Sequence, residues 1–125
     1  MFDNRRPSIL VIESNPRNLE LIADFLNRLG YGTVPISVLD HKLEAAIIDE
    51  SSIKLALVDV SGYSGAIWEW CEKIRTRGIQ LLIISQKQSI ELTNESIKHG
   101  ASGVLIKPLV MKELTALIVR LLEGD

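Results

Sequence analysis

The segment KLALVDVSG (Lys54–Gly62) sets the interpretation of the whole chain. Four apolar residues, Leu55 to Val58, lead directly into a single carboxylate, Asp59, and a turn follows. A short continuous apolar run is typical of a strand covered on both faces, as in a parallel sheet. An acid after such a strand is usually a turn or cap residue, so Asp59 taken alone favours a structural role. A chemical role depends on what other strands bring to the same edge.

Length and composition favour one globular domain over residues 1–125, with its core over about residues 8–122. The net charge is −2 and no basic run occurs, so nothing indicates direct binding to nucleic acid. The single cysteine, Cys71, excludes an intrachain disulfide and a cysteine-rich zinc site. No apolar run reaches membrane-spanning length, and the first apolar run ends at Glu13, too early for a signal peptide. We therefore expect a cytoplasmic protein with no membrane association.

Apolar runs and amphipathic segments alternate along the chain. The predicted strands are SILVI at 8–12, GTVPIS at 32–37, LALVD at 55–59, QLLIIS at 80–85 and GVLIK at 103–107. The predicted helices follow these strands at about 16–29, 39–52, 67–75, 89–98 and 111–122. Strands that alternate with helices over short loops predict a parallel sheet with helices on both faces. Pro35 suits an edge strand better than a central one.

Polar side chains follow four of the predicted strands at their carboxyl ends. They are Glu13 and Ser14 after the first, Asp59 after the third, Ser85 after the fourth and Lys107 after the fifth. Ligands of open parallel sheets bind outside this edge. A lone serine or lysine here would be unremarkable, but two acids, a hydroxyl and an ammonium on one edge predict a functional site.

These segments resemble the receiver domain of two-component response regulators. The resemblance lies in ILVIESNPRNLELIADFLNRLGY, LALVDV, LLIIS and GASGVLIKPL, and it spans about residues 8–122. It implies an α/β fold of the flavodoxin-like (CheY-like) type, a three-layer sandwich. The sheet of that fold has five parallel strands in the order 2-1-3-4-5, with five helices.

The resemblance also implies a function. Asp59 would accept a phosphoryl group from a histidine kinase or phosphotransfer protein, Ser85 would sense it, and Lys107 would pair with its oxygens. Mg²⁺ would be held by Glu13, Asp59 and the backbone carbonyl of Ser61, with Ser14 a doubtful further ligand. The chain would be a signalling domain and no enzyme, apart from assisting its own phosphorylation and dephosphorylation. A downstream protein target would recognise the resulting conformational change.

Some positions depart from the family pattern. Ser14 stands where a second acid is usual. Two unit charges ~4 Å apart interact by about 4 kcal/mol at an effective dielectric of about 20. Because Ser14 lacks the charge of that acid, we expect weaker Mg²⁺ binding. Gly62 and Tyr63 stand where Met-Pro is common, and Val104 where an aromatic residue is common. These departures support an alternative, a degenerate pseudo-receiver that acts as a phosphorylation-independent protein-interaction module.

Nucleotide-binding and hydrolytic functions have little support. The chain has no G-x-G-x-x-G and no Walker lysine loop. A hydrolase would need a base near Ser85, but His41 is expected on a helix surface and His99 at a helix C-terminus. Trp68 lies off the inward face of its helix and is expected to cover the site or a partner.

The last predicted helix is more apolar than one buried face requires. Its expected inward residues are Val110, Leu114, Leu117, Ile118 and Leu121, which leave Met111, Val119 and Leu122 partly outside that face. The remaining apolar strip predicts a weak homodimer through this helix.

Overall fold

The computed structural model describes residues 7–124. Its strands are β1 (Ser8–Ile12), β2 (Gly32–Ile36), β3 (Ile53–Asp59), β4 (Gln80–Ser85) and β5 (Gly103–Ile106). Its helices are α1 (Pro16–Arg28), α2 (His41–Asp49), α3 (Ile67–Thr76), α4 (Ile90–Lys98) and α5 (Met111–Glu123). The predicted alternation of strands and helices is confirmed.

All neighbouring strands pair in parallel, in the order β2-β1-β3-β4-β5. This confirms the flavodoxin-like fold. β3 lies in the middle, and its residues 55–58 are fully buried, as expected for a continuous apolar run. β2 lies at an edge, where Pro35 costs no central hydrogen bond.

The two faces of the sheet each pack against their own helices. Ala56 and Val58 point toward the core under α2 and α3, whereas Leu55 and Leu57 point toward the core under α1 and α5. α4 differs from the other helices, because its one buried residue is Ser96. Its apolar residues Ile90 and Ile97 are exposed.

Helix ends follow from local sequence. Asn15 caps α1 by accepting a hydrogen bond from the backbone N–H of Asn18 at 3.0 Å, and Pro16 occupies the first helical position. Asp40 caps α2 and Ser89 caps α4 in the same way. Ser14, which precedes this cap, donates its hydroxyl to the Ser61 carbonyl instead.

One expectation about side-chain placement is wrong. Val110 was expected on the inward face of the last helix, but it is 52% exposed. It precedes α5 with extended backbone, so the helical periodicity does not apply to it. Trp68 is half-buried, and its ring stacks on that of His99 at 5.3 Å between α3 and α4, so its role in covering the site or a partner stays a prediction. His99 does end α4, and its ring nitrogens also contact Glu72 and Glu95.

Candidate functional site

Asp59 is the last residue of the central strand β3, and its side chain is 1% exposed. Glu13 follows β1, the neighbouring strand, and is 2% exposed. The parallel arrangement brings both carboxylates to one edge of the sheet. Burial of two acids this deep is costly unless a cation accompanies them.

Lys107 supplies that cation. It directly follows β5, and its backbone N–H donates to the Ser85 carbonyl at 2.8 Å, which ties it to the end of β4. Its ammonium forms an ion pair with Asp59 Oδ2 and lies 3.2 Å from Glu13 Oε1. The Lys107–Pro108 peptide bond is cis. The structure thus brings together Glu13, Asp59 and Lys107 of the predicted site.

The charges at this site are unbalanced. Burial raises the pKa of Glu13, and the neighbouring Asp59 raises it further. Burial alone would lower the pKa of Lys107, but its contacts with Asp59 and Glu13 outweigh burial and raise that pKa. Two carboxylates facing one ammonium leave an excess of negative charge, which a further cation would neutralise.

Backbone groups hold the carboxylates in place. Asp59 Oδ1 accepts a hydrogen bond from the backbone N–H of Ser61 at 2.8 Å, and Glu13 Oε2 accepts one from Asn15 at 3.1 Å. The Ser61 carbonyl accepts the Ser14 hydroxyl at 3.4 Å. The segment after β3 and the loop after β1 are therefore joined at the position where the metal-ligating carbonyl was predicted.

Ser85 lies at the same edge, and its hydroxyl contacts the loop that follows its own strand. It is the last residue of β4 and 5% exposed. Its hydroxyl donates to the Lys87 carbonyl at 3.0 Å and accepts from the Lys87 backbone N–H at 3.1 Å. Both contacts hold the hydroxyl on the loop that follows β4.

The donor set fits a divalent ion, although Ser14 replaces one of the carboxylates of the family pattern. Mg²⁺ typically takes one or two protein carboxylates and keeps several waters. Glu13 and Asp59 supply two carboxylates and Ser61 a carbonyl, and their excess negative charge favours a cation. Ser14 adds no charge, and within residues 7–124 no group of three or more His, Cys, Asp or Glu side chains is placed to hold a metal.

Tyr63 is a site neighbour that the sequence analysis did not single out as functional. Its hydroxyl donates to the Ser37 carbonyl, after β2, at 2.6 Å. Burial raises the pKa of Tyr63 to about 12, and the negative charges of Glu13 and Asp59 contribute to that rise. The departure from Met-Pro at positions 62 and 63 was the one signal in the sequence.

None of the helices described between residues 7 and 124 combines the length and apolar character needed to cross a lipid bilayer.

Comparison with known proteins agrees with the fold. The two-component response regulator-like protein APRR4 of Arabidopsis thaliana is 21% identical over 127 residues, covering 98% of this chain and 44% of that protein. The chain therefore spans less than half the length of this curated relative. A CheY-like receiver domain from Methanospirillum hungatei JF-1 has a TM-score of 0.82 at 22% identity, covering 94% of each chain.

A Burkholderia pseudomallei response regulator, solved with a phosphorylated aspartic acid, a calcium ion and citrate, has a TM-score of 0.75 at 22% identity. That match covers 93% of this chain and 66% of the other. Likeness at such identity shows the fold alone. The model of the response regulator receiver domain, however, matches residues 9–119. The chain therefore belongs to the response regulator receiver domain family.

Proposed function

We propose that Asp59 accepts a phosphoryl group from a phosphohistidine on a histidine kinase or phosphotransfer protein. The observation that supports this most is the ion pair between the buried Asp59 carboxylate and the Lys107 ammonium. A carboxylate held at the end of a central strand with a cation beside it is suited to receive an anionic group.

The reaction exchanges one bond to phosphorus for another. A carboxylate oxygen of Asp59 forms a P–O bond while the P–N bond to the donor imidazole breaks. The imidazole leaves with the electron pair of that bond and takes up a proton from solvent. The protein contributes mainly alignment and charge neutralisation, because the transferred group is already anionic.

Each residue of the site has a part in that neutralisation. The Lys107 ammonium pairs with the phosphoryl oxygens, and the Ser61 N–H orients the acceptor carboxylate. Glu13, Asp59 and the Ser61 carbonyl would hold Mg²⁺, whose charge would offset that of the phosphoryl oxygens. The Ser85 hydroxyl leaves Lys87 and donates to the phosphoryl group, which alters the loop after β4. A downstream protein target binds the altered surface.

Incubation with acetyl phosphate and Mg²⁺, followed by intact-protein mass measurement, tests this function. We expect a phosphate adduct on the wild type and none on Asp59→Asn. Asp49→Asn is the matched control, because Asp49 is an exposed acid at the end of α2, and it should form the adduct. Absence of an adduct with acetyl phosphate and with phosphohistidine donors would contradict the proposal and favour the phosphorylation-independent interaction module.

A further inference from the structure

Residues 61–63, here called the post-acceptor segment, form hydrogen bonds with three other loops at the strand edge. The Ser61 carbonyl accepts from Ser14 after β1, and the Ser61 hydroxyl accepts from the backbone N–H of Gln86 after β4 at 3.3 Å. The Tyr63 hydroxyl donates to the Ser37 carbonyl after β2. The segment also contacts Asp59, because the backbone N–H of Ser61 donates to the Asp59 carboxylate.

Gly62 lets this segment lie close to the loop after β1. Its φ is +82°, a conformation that favours glycine, and a Cβ at this position would clash with the Ser14 hydroxyl. The segment is therefore held closely against the loop after β1. Gly62 alone separates Ser61 from Tyr63 along the chain, so the contacts of Ser61 and those of Tyr63 are two residues apart.

Tyr63 connects this segment to the loop between β2 and α2. Its hydrogen bond to Ser37 is short, at 2.6 Å, and its half-buried ring packs against the core under α2 and α3. The charges of Glu13 and Asp59 act on its hydroxyl. The loop it contacts also carries Val38, which is 62% exposed.

We propose that Tyr63 couples the charge at Asp59 to the conformation of the loop at residues 37–40. This inference rests on the proposed function for its trigger, since a phosphoryl group replaces a carboxylate by a group carrying about two negative charges. The added charge draws the Ser61 N–H toward the phosphoryl oxygens, the post-acceptor segment shifts with it, and Tyr63 releases Ser37. The loop with exposed Val38 then becomes the surface that differs between the two states.

Hydrogen exchange at the amides of residues 37–39 tests the coupling. We expect acetyl phosphate with Mg²⁺ to raise the exchange rate of these amides at least about fivefold. This factor is the lower end of the range typical for coupling between two sites of a protein. Tyr63→Phe removes only the hydroxyl and should reduce the change to less than about twofold by the same measure. Tyr31→Phe is the matched control, because its hydroxyl bonds Glu123 at 2.6 Å, and it should respond like the wild type. An unchanged response in Tyr63→Phe would overturn the inference.

A second comparison separates this inference from the proposed function. Asp59→Asn removes the carboxylate charge without any phosphoryl transfer. We expect Asp59→Asn to change hydrogen exchange at residues 37–39 when Tyr63 is present. In a protein that also carries Tyr63→Phe, we expect Asp59→Asn to leave that exchange unchanged. If acetyl phosphate gives no adduct, the proposed function fails, and this comparison alone decides the coupling. Equal effects of Asp59→Asn in both backgrounds would contradict it.

Discussion

Lys107 places its ammonium against two buried carboxylates, those of Asp59 and Glu13. Its own side chain is 19% exposed, so water screens these contacts only in part. An uncompensated buried charge is much more costly than a surface charge without a partner. Lys107 should therefore contribute to folding stability as well as to the proposed phosphoryl transfer.

Replacement of this cation should destabilise the fold. We expect Lys107→Met to lower the free energy of unfolding by about 3 kcal/mol, because two buried carboxylates then lack a counterion. Urea denaturation at neutral pH measures the change. Lys73→Met is the matched control, since Lys73 pairs with Glu44 at the surface, with both side chains roughly half exposed, and should lose less than about 1 kcal/mol. Equal losses in the two variants would contradict this account.

Cys71, on the inward face of α3, offers a test by pH. Burial raises the pKa of its thiol from 9.0 to about 12, and the charge of Glu72 adds to the rise. The fold favours the neutral thiol, so this contribution to stability is complete below pH 9.0 and is lost as the pH rises toward 12. Thiolate absorbance, measured against Cys71→Ala, should be absent from the folded protein at pH values just above 9.0 and present in urea. A thiolate in the folded protein at those pH values would show that the thiol is not buried.

Among the elements, those with a regular apolar pattern were predicted well. The strands and helices have the expected order because continuous apolar runs and helical stripes depend on local sequence. Contacts between loops could not be predicted in the same way. The Ser14–Ser61 bond depends on Gly62 at positive φ, and the direction of the Ser85 hydroxyl depends on how its loop folds back. Val110 was misplaced because a helical stripe was extended one residue beyond the helix.

The start of α4 offers a test at the scale of an element. Ser89 accepts a hydrogen bond from the backbone N–H of Leu92 at 2.9 Å, and α4 buries little apolar surface. We expect Ser89→Ala to lower the free energy of unfolding by about 1 kcal/mol. Ser89→Asp keeps a side-chain acceptor and should retain most of the stabilisation that the cap supplies. Urea denaturation measures both. A similar decrease in the free energy of unfolding of the two variants would show that the side-chain acceptor at position 89 does not stabilise α4.

The whole molecule combines a parallel sheet with a strand edge where the loops after all five strands meet. The fold at this scale was predictable, because parallel order and right-handed crossovers leave few arrangements. Surface associations are less constrained by the sequence. α5 leaves Met111 at 40% and Val119 at 37% exposure, so part of the predicted apolar strip is at the surface.

A weak homodimer through α5 remains a prediction. We expect sedimentation to show concentration-dependent self-association of the wild type that Val119→Glu reduces, because a charge there opposes burial in an interface. Ile48→Glu, on the exposed side of α2, is the matched control and should associate like the wild type. A monomer at high concentration would refute this prediction.

The most direct test of the central claim is to locate the phosphoryl group on the chain. Protein treated with acetyl phosphate and Mg²⁺ is reduced with borohydride, which converts an acyl phosphate on aspartate into homoserine, and its peptides are then sequenced by mass spectrometry. The account predicts homoserine at position 59 and at no other acidic position. Homoserine elsewhere, or intact aspartate at position 59 under conditions that phosphorylate an established receiver domain, would contradict it.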